Sequence, residues 1–309
     1  MQLKFDKSTY SYYKENTIAP RKIKGEITYS RLLRHNHADG LFSRLADKLR
    51  SKALNNNLSQ AQLAELAVSF VQSIPYDHYL ANKIENQKGF PKHPYEVLYE
   101  KSGICSGKSF LIHILLNKLQ FGTCLFIFDK ADHMMAGIKC PKTYSKFNSG
   151  YCYIESTSYF PIGLASSDFN KLKIEGLVTK YSIDLVSSWE IKSETNGRTY
   201  NKIKTNLNLL NALKEINIKS DVLKSNLDRR SKKFKEIKDK MDQLKERLEH
   251  YKRNNQRDKY QTYAKKYNRL LSKARRIKES YNQIANNHNM KVSEYKALVT
   301  HLLIQQGSQ

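Results

Sequence analysis

The stretch Gly103-Ile104-Cys105-Ser106-Gly107-Lys108-Ser109 decides the fold, because it runs directly into the apolar segment Phe110-Leu111-Ile112-His113-Ile114-Leu115-Leu116. Residues 106–119 are apolar almost all round, which is typical of a helix buried inside a core. Cys105 therefore stands at the start of a buried helix, with Gly103 permitting a close approach of the chain. The positive end of a helix stabilises a thiolate, which is the nucleophilic form of cysteine.

Two further residues complete the ingredients of a nucleophilic site. His133 begins the apolar run Met134–Lys139, and Glu155 ends the run Tyr151–Ile154. If these runs are neighbouring antiparallel strands joined by a turn at residues 148–150, the histidine and the carboxylate lie side by side. A histidine that reaches the thiol needs an acceptor on its other ring nitrogen to fix its tautomer. The spacing thus predicts a Cys105-His133-Glu155 triad.

The order of predicted elements indicates an α+β fold, with helices first and a short antiparallel sheet after them. Leu41, Leu45 and Leu49 predict a helix over 40–54, and Ser59 is the expected N-cap of the next helix, which ends before Pro75. Strands are expected at 124–128, 134–139 and 151–155. Residues 8–14 and 22–29 also have strand-like patterns.

From about residue 205 the apolar residues follow a heptad pattern, which predicts an antiparallel coiled-coil hairpin. Two apolar seams at alternating spacings of three and four are separated by the polar segment 252–259, and each arm would be on the order of 45 Å long. Arg230 is the only charged member of the first seam. The first seam comprises Leu223, Leu227, Arg230, Phe234, Ile237, Met241, Leu244, Leu248 and Tyr251, and the second Tyr260, Tyr263, Tyr267, Leu270, Ala274, Ile277, Tyr281, Ile284 and His288.

Composition bears on the partners and the cellular compartment of the protein. Fifty-four Lys and Arg against 29 Asp and Glu give a net charge of +25, which indicates affinity for polyanions or anionic membrane surfaces. The alternative explanation is a generally basic proteome or a solvated helix surface. No apolar run approaches the length of a membrane span, and the first residues lack a secretory signal. The four cysteines form no recognisable disulfide framework, so Cys124, Cys140 and Cys152 are interpreted as buried small residues in a reducing cytoplasm.

Two rival motifs overlap or precede the triad. Ser102–Ser109 nearly matches a phosphate-binding loop, and Leu125–Asp129 resembles the acidic strand of such ATPases. Ser102 replaces the first glycine, however, and Glu100-Lys101 stand where a buried strand should end. His35-Asn36-His37-Ala38-Asp39 has the spacing of a metal-ligand set, but no downstream partners follow, so a polar turn with Asp39 as helix cap is preferred.

The residues around the triad resemble the transglutaminase-like superfamily, especially its archaeal and bacterial members. The resemblance rests on Gly-x-Cys before a buried helix, the His-Met-x-x-Gly strand from His133, and the aromatic strand that ends in Glu155. Ile74-Pro75-Tyr76 and Tyr95–Leu98 fit the same pattern, so residues 60–165 are covered. It implies a papain-like core with Cys105 as nucleophile, His133 as base and acid, and Glu155 as orienting carboxylate, where the family more often has Asp.

These observations predict a transglutaminase-like domain over residues 1–200, with its motif-bearing core at 60–165, and a basic hairpin over 205–309. The expected activity is cysteine-dependent acyl transfer in a soluble, cytoplasmic protein, with hydrolysis of a peptide or protein amide favoured over cross-linking and no metal or organic cofactor. The alternative is an inactive scaffold whose coiled coil binds a protein, another copy of itself, or nucleic acid weakly and non-specifically.

Overall fold

The computed structural model describes residues 3–15, 22–23, 26–27, 37–85, 90–128, 131–165, 168, 172 and 189–307; for 22–23, 26–27 and 301–307 only the backbone is described. The chain divides into two compact units, Met1–Leu210 with His301–Gln309 and Asn211–Thr300. The first is a mixed α+β unit, and the second is built from two long helices. Within the described part of the chain, no helix combines the length and apolar character that a bilayer crossing demands.

The described residues contain eight α-helices, six strands and two short 3-10 helices, Lys142–Tyr144 and Lys146–Asn148. The helices are α1 (Lys7–Glu15), α2 (Asp39–Asn55), α3 (Gln60–Gln72), α4 (His78–Glu85), α5 (Pro94–Glu100), α6 (Cys105–Lys118), α7 (Ile203–Arg253) and α8 (Arg257–Gly307). The strands are β1 (Lys22–Ile23), β2 (Glu26–Ile27), β3 (Thr123–Phe128), β4 (His133–Lys139), β5 (Tyr151–Ile154) and β6 (Glu190–Lys192).

The predicted α+β order is confirmed, and the sheet is antiparallel with strand order β5-β4-β3-β6. Helix α6 is buried along nearly its whole length and packs against β3 and β4 on one side and against α2 and α3 on the other. Ser59 caps α3 as expected: its hydroxyl accepts from the backbone N–H of Gln62, and its own N–H donates to the Gln62 side-chain oxygen, which completes a capping box. The helix that begins with Cys105 is thus enclosed by the core over most of its length.

The strand prediction for residues 8–14 is wrong, because they form helix α1. Asp6 accepts hydrogen bonds from the backbone N–H and hydroxyl of Ser8, which caps the first turn. The ring of Tyr10 then stacks on that of Tyr99 at 4.0 Å, and Tyr13 stacks on His93 at 3.7 Å. These tertiary contacts outweigh the strand preference of a tyrosine-rich segment. Of residues 22–29, only the two-residue strands β1 and β2 lie in the described part of the chain.

Two of the cysteines were interpreted incorrectly as separate buried residues. Cys140, just after β4, and Cys152, in β5, form a disulfide. The bridge joins adjacent strands of the sheet, which the separation of 12 residues in sequence did not suggest. The inference of a reducing compartment rested on unpaired cysteines and therefore loses its support.

The predicted helical hairpin is confirmed, with arms longer than expected. Each helix has 51 residues, or about 76 Å at 1.5 Å per residue, and they are joined by residues 254–256. Arg230 Nε donates to Ser280 Oγ at 2.8 Å, and the rings of Tyr251 and Tyr263 lie 5.1 Å apart near the loop. These contacts show that the helices run antiparallel. Most seam residues are half-buried or buried, while Tyr260 and Tyr281 are exposed.

Candidate active site

Cys105 is the first residue of α6, and the chain around it is held by close backbone packing. A Cβ on Gly103 would lie 3.0 Å from Val97, and one on Gly107 would lie 2.9 Å from the carbonyl oxygen of Lys92. A side chain at Gly107 would collide with the backbone of the segment before α5, and one at Gly103 would crowd the Val97 side chain of α5. Cys105 itself is partly exposed, as a nucleophile must be.

His133 and Glu155 meet through the sheet register that the sequence suggested. Strand β4 pairs with β5 in antiparallel fashion, with Ala136 opposite Ile154. His133 Nε2 lies 3.3 Å from Glu155 Oε2. This distance is slightly longer than a usual hydrogen bond, as catalytic contacts without a bound substrate often are. The pairing thus places His133, the first residue of β4, beside Glu155, the residue after β5.

The carboxylate of Glu155 is buried and fully engaged. Its Oε1 accepts hydrogen bonds from the backbone N–H of Ser156 at 2.8 Å, the backbone N–H of Thr157 at 2.9 Å and the hydroxyl of Thr157 at 2.7 Å. Oε2 is left to face His133. Burial alone would raise the pKa of Glu155, but the hydrogen bond and charge of His133, with the Thr157 donors, hold it well below 4.5. The glutamate is a fixed anion.

The imidazole of His133 interacts with both other members of the triad. Burial alone would lower the pKa of His133, but the side-chain contacts with Cys105 and Glu155 outweigh burial and raise it well above 6.5. Because Nε2 engages Glu155, Nδ1 is the ring nitrogen left for the sulfur. A histidine stabilised in its charged form between a thiol and a carboxylate is what a thiolate–imidazolium pair requires. The structure therefore brings all three predicted site residues together.

Two buried serines that the sequence interpretation missed connect the members of the triad. Ser109 Oγ lies 3.0 Å from the carbonyl oxygen of Met134 and 3.1 Å from Ser156 Oγ. Ser156 Oγ in turn donates to the carbonyl oxygen of Cys105 at 3.2 Å. Helix α6, strand β4 and the segment after β5 are thus linked by hydroxyl groups. Ser109 stands one turn after the cysteine, and Ser156 directly follows the glutamate, which are the only signals the sequence offered.

A buried glutamine at the end of α3 and a buried lysine in α6 support the same region. Gln72 Nε2 donates to the carbonyl oxygens of Glu155 at 2.8 Å and Phe160 at 2.9 Å. Lys108 is fully buried, and its Nζ donates to the carbonyl oxygen of Ile74 at 2.7 Å. Burial lowers the pKa of Lys108 to about 8, although the charge of Glu155 opposes this. The end of α3 is thereby fastened to the first turn of α6.

These contacts do not fit the phosphate-loop alternative. Such a loop follows a buried strand, whereas helix α5 precedes the Gly103–Ser109 segment here. The lysine that would contact a phosphate is instead buried against backbone carbonyls of the segment that ends α3. Asp129, the acidic residue of the supposed magnesium strand, lies outside the described residues.

The structure also gives no support to a metal site at residues 35–39. His35 and Asn36 lie outside the described residues, while His37 packs against the ring of Tyr12 at 4.5 Å. Asp39 is not the cap of α2, because Ala38 occupies the N-cap position and Asp39 forms an ion pair with Lys118 at 2.6 Å. The described residues contain no group of three or more His, Cys, Asp or Glu side chains arranged to hold a metal ion.

Comparison with known proteins adds no assignment. No family model, no curated protein and no solved structure matches this chain.

Proposed function

We propose that this chain is a cysteine-dependent acyl-transfer enzyme of the transglutaminase-like kind, with a papain-like core, that hydrolyses a peptide or protein amide. The observation that carries the proposal is the contact of His133 with both the Cys105 side chain and the buried carboxylate of Glu155. A histidine held in this way can take a proton from a thiol and later return it. No step needs a metal or an organic cofactor.

The chemistry follows from the three side chains. The Cys105 thiolate attacks the amide carbonyl carbon, and the resulting tetrahedral intermediate collapses when the C–N bond breaks. His133 gives its proton to the leaving amine, which leaves a thioester on the sulfur. A water molecule then loses a proton to His133 and attacks the thioester, which releases the carboxylic acid and restores the thiol.

Two features of the fold assist these steps. The first backbone N–H groups of a helix have no partner within the helix, so the N–H of Cys105 in α6 is a natural donor to the developing oxyanion. Glu155 keeps the imidazole oriented and stabilises its positive charge without leaving its own place, because backbone and hydroxyl donors hold its other oxygen. The serine links give the nucleophile and the histidine a common support.

A peptide-library experiment tests the proposal. The full chain is incubated with peptides from a digested proteome, and new termini and glutamine-to-glutamate conversions are read by mass spectrometry, with dansyl cadaverine added in a parallel sample to capture any thioester. We expect products that the Cys105→Ala variant does not form and that the matched Cys124→Ala variant still forms. Identical product sets from the wild type and Cys105→Ala would overturn the proposal.

A further inference from the structure

The positive charge of the helical hairpin is concentrated in the half nearest its loop. Residues 232–278 hold 18 Lys and Arg against six Asp and Glu, a net charge of +12 of the total +25. The remaining parts of the hairpin unit, 211–231 and 279–300, hold seven Lys and Arg against five Asp and Glu. Charge that served only to keep the helices in solution would not need to be concentrated in one half of the hairpin.

Within this half, one side of the seam is lined only by cations. The residue immediately before every second seam position is basic in both helices, and in an antiparallel pair such positions from the two helices lie on the same side of the seam. We call this surface the basic flank. It consists of Lys233, Lys240 and Arg247 in α7 and Lys259, Lys266 and Lys273 in α8.

Contacts near the loop place cations of both helices together. Arg247 lies over the ring of Tyr263 at 5.7 Å and donates to its hydroxyl at 3.2 Å, while Lys266 lies over the same ring at 5.0 Å. Lys259 lies over the ring of Tyr251 at 5.8 Å. Two aromatic rings in the seam thus draw together three cations that would otherwise repel one another.

The flank cations are accessible and lack acidic partners. All six residues are exposed, and among the described residues none of them forms an ion pair with a carboxylate. Coiled coils usually place opposite charges at these flanking positions, so a row of like charges costs stability in the free hairpin. An anionic partner that binds along the row would remove this cost.

We propose that the basic flank of the hairpin is a binding surface for the phosphate backbone of a nucleic acid duplex. Each row of three cations extends over 14 residues, or about 21 Å, and a duplex presents about one phosphate charge per 1.7 Å of its axis. Six cations along that length can therefore each meet a phosphate without base-specific contacts. Such binding is independent of sequence and depends steeply on salt.

The alternative anionic surface, a lipid bilayer, fits less well. Helices that bind bilayers insert large apolar side chains beside their basic residues. Here the apolar seam is used for pairing of the two helices, and the only large exposed apolar or aromatic side chain within 232–278 is Tyr260. The flank offers charge without an apolar face to insert.

Fluorescence anisotropy tests this proposal. The full chain is titrated against a labelled 20-base-pair DNA duplex of arbitrary sequence at KCl concentrations from 50 to 200 mM. In the flank variant, Lys240, Arg247, Lys266 and Lys273 are all changed to Gln. In the matched control, Lys238, Lys245, Lys252 and Lys278 on other faces are changed to Gln, so both variants lose four charges. Circular dichroism of each variant verifies that the helices remain.

We expect the flank variant to bind at least tenfold more weakly than the control at 100 mM KCl. Its slope of log affinity against log salt should also be smaller by about three to four, since each lost phosphate contact removes about 0.9. Equal losses in the two variants would overturn the proposal, because net charge alone would then explain binding. Absence of wild-type binding at 50 mM KCl, or tighter binding to vesicles with 30% phosphatidylserine that depends on the same residues, would overturn it as well.

Discussion

At the scale of single residues, side chains from three different elements meet: Cys105 from the start of α6, His133 from the start of β4 and Glu155 from just after β5. The types and spacing of Cys105, His133 and Glu155 sufficed to predict that they meet, because helix starts and antiparallel registers follow simple geometry. The serine links and the buried lysine could not be predicted. Their partners are backbone carbonyls of segments distant in sequence, and no local pattern reports such contacts.

Replacement of Glu155 by Gln should lower the pKa of His133. The charge and hydrogen bond of the glutamate help to raise that pKa, so the neutral amide removes part of the stabilisation of the imidazolium. NMR titration of the His133 ring in the wild type and in Glu155→Gln measures the change. The wild-type pKa should lie above 6.5 and the variant's below the wild-type value. An unchanged titration would mean that the carboxylate does not act on the imidazole.

Lys108 should make the free energy of unfolding depend on pH in the alkaline range. Its pKa falls from 10.5 to about 8 on folding, so between these values the unfolded chain binds more protons than the folded one. Stability contributed by this group therefore rises as pH increases from about 8 to 10.5, by up to about 3 kcal/mol. Chemical denaturation of the wild type and Lys108→Met at several pH values should show their difference growing in favour of the wild type. A constant difference would contradict the assigned shift.

At the scale of elements, contacts between residues far apart in sequence outweighed local secondary-structure preference. Helix α1 forms because Tyr10 and Tyr13 stack on residues near or within α5, and the disulfide forms because β4 and β5 are neighbours. Strand β6 has only three residues and pairs with β3, which is too short a signal to find from sequence. The long helices were predictable because their seams repeat over many turns.

Loss of the disulfide should destabilise the sheet that carries His133 and Glu155. The bridge closes a loop of 12 residues, for which constraint of the unfolded chain contributes about 2–3 kcal/mol. The double variant Cys140→Ser/Cys152→Ser should lose about that much free energy of unfolding in urea titration. A reducing agent should have the same effect on the wild type and none on the variant. Equal stability of the two proteins without reductant would contradict a formed bridge.

Arg230 is the charged member of an otherwise largely apolar seam, and its replacement by Leu should stabilise the hairpin. The guanidinium is half-buried and its hydrogen bond to Ser280 offsets only part of the cost of removing it from water. We expect Arg230→Leu to raise the free energy of unfolding by about 1 kcal/mol. The exposed neighbour Arg229→Leu serves as the control and should change stability by less than about 0.5 kcal/mol.

At the scale of the whole molecule, the chain combines an α+β unit, in which Cys105, His133 and Glu155 meet, with a helical unit whose positive charge is concentrated near its loop. The sequence predicted the order of these parts, because composition and periodicity both change near residue 205. In the structure helix α7 begins at Ile203, and the two compact units divide after Leu210. The placement of +12 of the net charge beside one half of the seam became visible only with the antiparallel register. The proposed amide substrate is defined by the chemistry of the site alone.

The most direct test of the account is the rate at which iodoacetamide alkylates Cys105 at pH 6, measured by peptide mass spectrometry on the full chain. A free thiol is almost entirely protonated at this pH. If His133 and the start of α6 stabilise the thiolate, Cys105 should react at least tenfold faster than glutathione, and His133→Ala should remove most of the difference, since only the helix start then remains. A Cys105 that reacts no faster than glutathione, with the same rate in His133→Ala, would contradict the assignment of a nucleophilic site.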